Sequence, residues 1–392
     1  MKLVLNKKKC TGCGVCALKC PTHAICMEMD DEGFFYPIID TDKCIRCGLC
    51  DKTCHLNAQH ENANSPISVY AATNNDYRTL LKCSSGGVFG ALSEYVLEHQ
   101  GVCYGVTLDG LKAKYLRVRD SIELDKLFGS KYIQADIGNT YSLIEKDCLE
   151  GRKVLFVGTP CLVAGLKSFL KKDYQNLFTV DIVCHGTPSG MYFESYIEYL
   201  QNRLHGKIIN FRFRDKSKYG IGCISSCEIE KRHTRKNIVL TNQLLNYYYF
   251  YMYADSYRES CYQCKYTNIN RVSDITLGDF WGIEKLDTTL NVSHGCSAVI
   301  INTIKGESLL EIIGETCKLE KREIGEVLIR NSALQSNVKR SSTRDTIYKE
   351  LVNEGFGYTV KNRYKPSFSQ YIRGIAKGVL PTSIQETINR HK

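Results

Sequence analysis

From Ile67 onward, short apolar runs of strand character, Ser68 to Ala72 and Val102 to Val106, alternate with stretches of helical character such as Val88 to His99. This alternation predicts an α/β body. Its clearest unit is the apolar run Val154 to Val157, followed by Gly158-Thr159-Pro160-Cys161 and a helix-like run to Leu170. Glu61 to Pro66 is polar and turn-rich and reads as a linker. Ahead of it, Ile25 to Asp40 sets apolar residues on either side of an acidic turn ending at Gly33, the pattern of a small hairpin. Past Glu320, Asn337 to Arg344 reads as a loop, and Phe368 to Leu380, broken by Gly374 and Gly378, as a weakly amphipathic helix.

Composition narrows the class. The chain has 392 residues, 43% hydrophobic and 24% charged, enough for a sizeable core in two or three domains. No apolar run approaches the ~20 residues of a membrane span, and Leu3 to Leu5 gives way at once to Asn6-Lys7-Lys8-Lys9 instead of a targeting stretch. A cytoplasmic protein is expected. The net charge is +10, but residues 361–392 hold seven basic side chains against Glu386, so six of the ten excess charges sit there. The nearly balanced remainder speaks against a nucleic-acid partner, and there is no helix-turn-helix cue for a cluster-based sensor.

Twenty cysteines change the picture most. Cys10, Cys13, Cys16 and Cys20 recur as Cys44, Cys47, Cys50 and Cys54, each displaced by 34 residues. Three closely spaced cysteines curl around one 4Fe-4S cubane, while the fourth, on a short helix leading away, reaches the neighbouring cluster. Crossed ligation follows, with Cys10, Cys13, Cys16 and Cys54 on one cluster and Cys44, Cys47, Cys50 and Cys20 on the other. Gly12, Gly14 and Gly48 lie between ligands, where the backbone bends around the sulfides. Zinc knuckles are the alternative, but they use two pairs and not triple runs. His55 stands where the first run has Pro21, and a change of local turn is expected from it.

Five strings then appear in order: Ser84-Ser85-Gly86-Gly87, Gly129-Ser130-Lys131-Tyr132, Val157 to Cys161, Val183-Cys184-His185-Gly186-Thr187-Pro188-Ser189, and Leu277-Gly278-Asp279-Phe280-Trp281-Gly282. Together they resemble the beta subunit of coenzyme F420 hydrogenase/dehydrogenase over roughly residues 67–320. The resemblance implies an α+β ferredoxin-type N-terminal domain (1–62) followed by an α/β flavoprotein domain in two parts (67–148 and 150–320), with a basic C-terminal extension (321–392). It implies an FAD-dependent oxidoreductase, in the manner of anaerobic metabolism, that exchanges hydride with a small-molecule donor or acceptor such as coenzyme F420 and single electrons with clusters and a redox partner protein or ferredoxin. A flavin-free electron-transfer adaptor of a larger complex or biosynthetic pathway is the alternative.

Within that resemblance Ser84, Ser85, Gly86 and Gly87 hold the pyrophosphate at a helix start, and Lys131 supplies countercharge. A turn that merely caps a helix is the bland reading of the same residues. Gly158, Thr159 and Pro160 sit at a strand end, where α/β folds place cofactors; no G-x-G-x-x-G follows a strand. Cys161, Cys184, Cys261 and Cys264 are candidates for a third cubane, against the reading of buried thiols as small hydrophobes. His185 is the catalytic candidate, against a structural bond. Asp279 and Trp281 read as packing and turn residues near the site. Arg212, Arg214 and Lys216 read as an exposed strand of alternating charge, with contact to an anionic substrate as the sharper alternative.

Overall fold

The computed structural model describes residues 6–57, 63–217, 220–232, 234–287, 290 and 292–364. The helix expected at Phe368 to Leu380 lies outside them.

At the N-terminus, helices α1 (Val15–Leu18) and α2 (Leu49–Lys52) each begin after a left-handed glycine, Gly14 at φ 76° and Gly48 at φ 70°. These glycines occupy the same place in the two cysteine runs, so the repeat carries its backbone turn along with its ligands. Between the helices, β1 (Ile25–Met29) and β2 (Phe35–Ile39) pair antiparallel, with Ile25 opposite Ile39, as the alternation predicts.

The body continues with β3 (Ser68–Asn74), α3 (Tyr77–Lys82), α4 (Val88–Glu98), β4 (Val102–Asp109), β5 (Lys112–Val118), α5 (Ser121–Leu124), α6 (Thr140–Leu149), β6 (Val154–Gly158), α7 (Pro160–Leu170), β7 (Leu177–Ile182) and α8 (Gly190–Leu204). Then come β8 (Lys207–Arg212), β9 (Ser226–Lys231), β10 (Thr234–Val239), α9 (Tyr247–Tyr251), β11 (Ile275–Asp279), α10 (Ile283–Leu286), β12 (Ser297–Ile301), α11 (Ile304–Thr316), β13 (Cys317–Arg322), α12 (Ile324–Leu328) and α13 (Arg344–Asn362).

Eight strands form one sheet in the order β13-β3-β12-β11-β7-β6-β4-β5. Strands β4, β6, β7 and β11 run parallel, and β3 stands two antiparallel steps from β11, so its C-terminal end reaches the same edge. Both faces are covered. On β6, Val154 and Phe156 pack with Ile144 and Val163, while Leu155 packs with Val88 and Leu92 on the other side. A strand buried on both faces reads as an unbroken apolar run, which is what Val154 to Val157 is. The three strands β10-β9-β8 form a second sheet, packed around an aromatic core that includes Tyr192, Phe193, Tyr196, Phe211, Tyr247 and Phe250.

The parts of the body on either side of residues 148 to 150 share one sheet, because β4 pairs directly with β6. The residues past 321 are not all an appendage. Strand β13 is the edge strand beside β3, α13 buries Ile347, Tyr348, Leu351 and Phe356, and Tyr364 is fully buried. Basic composition averaged over the segment hid the helical spacing of those four apolar residues.

Candidate metal and cofactor sites

The cysteines of the N-terminal module fall into two cages. Burial pushes the Cys16 thiol up to about 12, and the charges of Cys10, Cys54 and Cys50 push it the same way. Burial raises Cys13 as well, with Cys16, Cys10 and Cys54 adding to it. Cys20, Cys44, Cys47 and Cys50 instead line one cavity together with Pro21, Ile25 and Ile39. Cys54 thus stands with the first run, and Cys20 with the second. The amides of Val15, Ala17 and Asp51 donate to the sulfurs of Cys13, Cys16 and Cys50, and the Ala24 N–H reaches the Cys20 sulfur at 3.2 Å. Such amides offset the negative charge of cluster ligands. The first cage is buried throughout, whereas Cys47 of the second is exposed.

A third group forms in the body. Cys161 lies in the first turn of α7, Cys184 follows β7, and Cys261 and Cys264 flank the end of a short 3-10 turn, Glu259–Gln263. The four lie close enough that a thiolate on any one would raise the thiol of its neighbours. Burial lifts the Cys161 thiol to about 11 and that of Cys264 to about 12. The Thr159 hydroxyl lies 3.2 Å from the Cys161 sulfur. Among the described residues no three His, Cys, Asp or Glu converge tightly enough to hold a metal ion.

Helix α7 ties this group to the first cage. A Cβ on Gly165 would lie 2.8 Å from the Tyr141 hydroxyl and 3.1 Å from Cys13 Cβ. Cys161 stands four residues before it, a rise of about 6 Å. Gly165→Ala is expected to push the Cys13 loop away and to weaken iron retention in the first cage, measured as faster iron loss to a chelator under anaerobic conditions.

The C-terminal strand edge collects the remaining candidates. His185 follows β7, and burial lowers its imidazole while the Asp279 charge opposes the shift. Asp279 ends β11 and accepts from Arg214 at 2.6 Å, and the Arg214 guanidinium lies 5.6 Å from the Trp281 ring centre. Arg214 Nε and Asp279 Oδ1 are buried without hydrogen-bond partners.

The residues expected to hold a pyrophosphate are largely engaged within the protein. Ser84 Oγ accepts from the Ser130 amide at 2.7 Å, Ser85 Oγ donates to the Cys296 carbonyl at 3.0 Å, and the Gly86 amide donates to Ser297 Oγ at 2.9 Å. Lys131 Nζ donates to the carbonyls of Lys126, Leu127 and Phe128, and burial lowers it to about 7. Gly87, at φ 86°, is the N-cap of α4. Gly158 lies under Tyr115, whose hydroxyl would be 2.6 Å from a Cβ there. Thr159 is the N-cap of α7, with Pro160 in its first turn.

Two groups differ from their sequence reading, and a third residue has none. Arg214 and Lys216 are buried, not exposed; Lys216 Nζ donates to the Ser85 and His294 carbonyls at 2.6 Å each. The alternation Phe211-Arg212-Phe213-Arg214 looks like an edge strand, but β8 ends at Arg212 and the chain then turns inward. His55 does more than alter a turn: it is 2% exposed, with Nδ1 2.5 Å from the Tyr266 hydroxyl and Nε2 3.1 Å from the Thr11 hydroxyl. The third, Arg258, carries no sequence signal at all, and it lies buried between the first cage and the third cysteine group.

A mixed α/β body thus stands behind a small module whose cysteines form two groups. Residues 9–58 match the 4Fe-4S dicluster domain, and residues 151–327 match the domain described as the C terminus of the coenzyme F420 hydrogenase/dehydrogenase beta subunit. Over these two stretches the chain is similar to a 4Fe-4S dicluster domain and to the C-terminal domain of that beta subunit. Among solved structures it is similar to a chain of the F420-reducing NiFe hydrogenase complex from Methanosarcina barkeri, at 17% identity, covering 79% of this chain and 100% of that one with a TM-score of 0.44. No curated protein matches. Among the described residues no helix is long and apolar enough to cross a membrane.

Proposed function

We propose that the chain is an iron-sulfur flavoprotein that passes electrons between an organic hydride carrier of the deazaflavin type and 4Fe-4S clusters, through FAD. The observation that carries this reading is the position of the third cysteine group, beside the first cage across Gly165 and beside the strand edge that ends in His185 and Asp279. Bound in these places, cubanes supply one-electron steps and a flavin supplies the exchange between a hydride and single electrons.

The chain's own residues do the holding. Cys10, Cys13, Cys16 and Cys54 grip the first cluster, Cys20, Cys44, Cys47 and Cys50 the second, and Cys161, Cys184, Cys261 and Cys264 the third. The unpartnered Arg214 Nε and Asp279 Oδ1 fit the polar edge of a flavin ring, since a buried polar atom left unpaired is costly. His185 stands where a substrate proton would be held. Gly87, Thr159 and Pro160 shape the two helix starts beside a pyrophosphate. The exposed Cys47 marks the second cage as the place where a redox partner protein or ferredoxin meets residues 1–62.

The flavin-free adaptor remains a second reading, favoured by the internal bonding of Ser84, Ser85, Gly86 and Lys131. Anaerobic reconstitution with iron, sulfide and FAD separates the two. About twelve iron atoms per chain, with bound flavin bleached by reduced deazaflavin, is expected. About eight iron atoms would remove the third cluster, and clusters without flavin uptake would leave the adaptor.

A further inference from the structure

Arg258, Arg271 and Arg344 are among the largest side chains fully buried in the chain. Two of them face carboxylates. Arg271 donates to Asp181 at 2.9 Å, and Arg344 grips Glu32 with both terminal nitrogens, at 2.9 and 2.6 Å. Arg258 is built differently. Its Nε donates to the Cys10 carbonyl at 2.7 Å, Nη2 donates to the Phe35 carbonyl at 2.9 Å, and Nη1 reaches Gln134 Oε1 at 3.5 Å. Its plane lies 4.0 Å from the Tyr36 ring centre. Among the described residues it has no carboxylate partner.

A buried guanidinium held only by neutral acceptors keeps its full charge at a desolvation cost, unless an anion lies nearby. The groups around it that become anionic are cysteines. It is bonded to the backbone of Cys10 on one side, and on the other its own carbonyl accepts from the Cys261 amide at 2.9 Å, with its charge in reach of Cys161 and Cys261. Thiols are neutral, but a cubane with four thiolates is anionic and gains a further negative charge on reduction. A cation fixed beside it favours the reduced form.

We propose that Arg258 is a positioning residue, the shared countercharge of the cluster in the first cage and the cluster of the third cysteine group, raising the reduction potential of both. Its second half rests on the proposed third cluster. The three neutral acceptors hold the guanidinium in place, so that its charge is shared between two electron acceptors instead of being neutralised by a carboxylate.

The test is a potentiometric titration of the full chain, reconstituted anaerobically and followed by electron paramagnetic resonance, comparing Arg258→Gln with Arg258→Lys. The signal that Cys47→Ser deletes marks the second cage. Arg258→Gln is expected to lower the midpoints of the other two signals and leave the marked one in place, while Arg258→Lys stays near the parent. Unmoved midpoints in Arg258→Gln at full iron content, or an equal drop in both variants, would overturn the proposal. Should Arg258→Gln fail to load iron, loading by Arg258→Lys supports it and equal failure of both overturns it. A parent chain with about eight iron atoms removes the third cluster by itself; the first-cage midpoint must then still fall in Arg258→Gln.

Discussion

Arg271→Met is expected to unfold at markedly lower denaturant concentration than the parent chain, with a stability loss of about 3 to 5 kcal/mol. Arg271 and Asp181 are both fully enclosed, with side-chain exposures of 2% and 0%. Asp181 sits in β7, in the middle of the large sheet, and Arg271 donates to it through Nε at 3.2 Å and Nη2 at 2.9 Å. Nη1 meanwhile donates to the Tyr266 carbonyl at 2.6 Å, and the backbone of Arg271 pairs with Asn64. One side chain therefore fixes the sheet centre, the strap behind Cys264 and the entry to β3. Removing it strands a carboxylate where water does not reach. Asp181→Asn in the same background should recover part of the loss, because the stranded charge is then gone; an additive second loss would show that the pair contributes by packing alone.

Cys54→Ala is expected to delete the same cluster signal as Cys16→Ala, and Cys20→Ala the same signal as Cys50→Ala, each with about four iron atoms fewer per chain. The charge contacts of Cys54 with Cys10, Cys13 and Cys16 place it in the buried cage, while Cys20 lines the cavity of the second run. Loss of one common signal in Cys50→Ala and Cys54→Ala would mean that each run closes its own cluster, and the crossed arrangement would fall. The buried cage should also prove the more disruptive to empty. Cys10 belongs to the aromatic core around Tyr192 and Tyr257, and Cys13 to the core beneath the sheet, whereas Cys47 is exposed.

What could be read in advance follows the reach of each signal. Ligand spacing is local, so the two cysteine runs, their left-handed glycines and the hairpin between them were legible residue by residue. The strand and helix of Val154 to Leu170 were equally plain, because a doubly buried strand leaves an apolar run. Long-range pairings left no such mark. Nothing around Arg258 announces that it reaches back to Cys10, and nothing in His55 announces Tyr266. Arg214 and Lys216 were misread because alternating charge resembles an exposed strand until the chain turns inward after Arg212. Beside the phosphate-cradle and helix-cap readings of Ser84 to Gly87 stands a packing demand that has no local sequence signal. A Cβ on Gly86 would stand 2.1 Å from the Ala72 carbonyl oxygen and 2.5 Å from the Ser297 nitrogen. That glycine is required by two neighbouring strands, whatever binds nearby. Gly86→Ala is accordingly expected to cost about 1 to 3 kcal/mol of stability, seen as a lowered denaturation midpoint.

Three clasps on the N-terminal module come from far downstream: Arg258 on Cys10 and Phe35, Tyr266 on His55, and Arg344 on Glu32. On a ribosome adding roughly 5 to 20 residues per second, something like 15 to 60 s separate the emergence of the second cysteine run from that of Arg344. The cysteine runs thus precede these fastening residues by a long stretch of chain. Until they emerge the module lacks these bonds, so the enclosure of the first cage, unlike that of the second with its exposed Cys47, depends on residues translated hundreds of positions later.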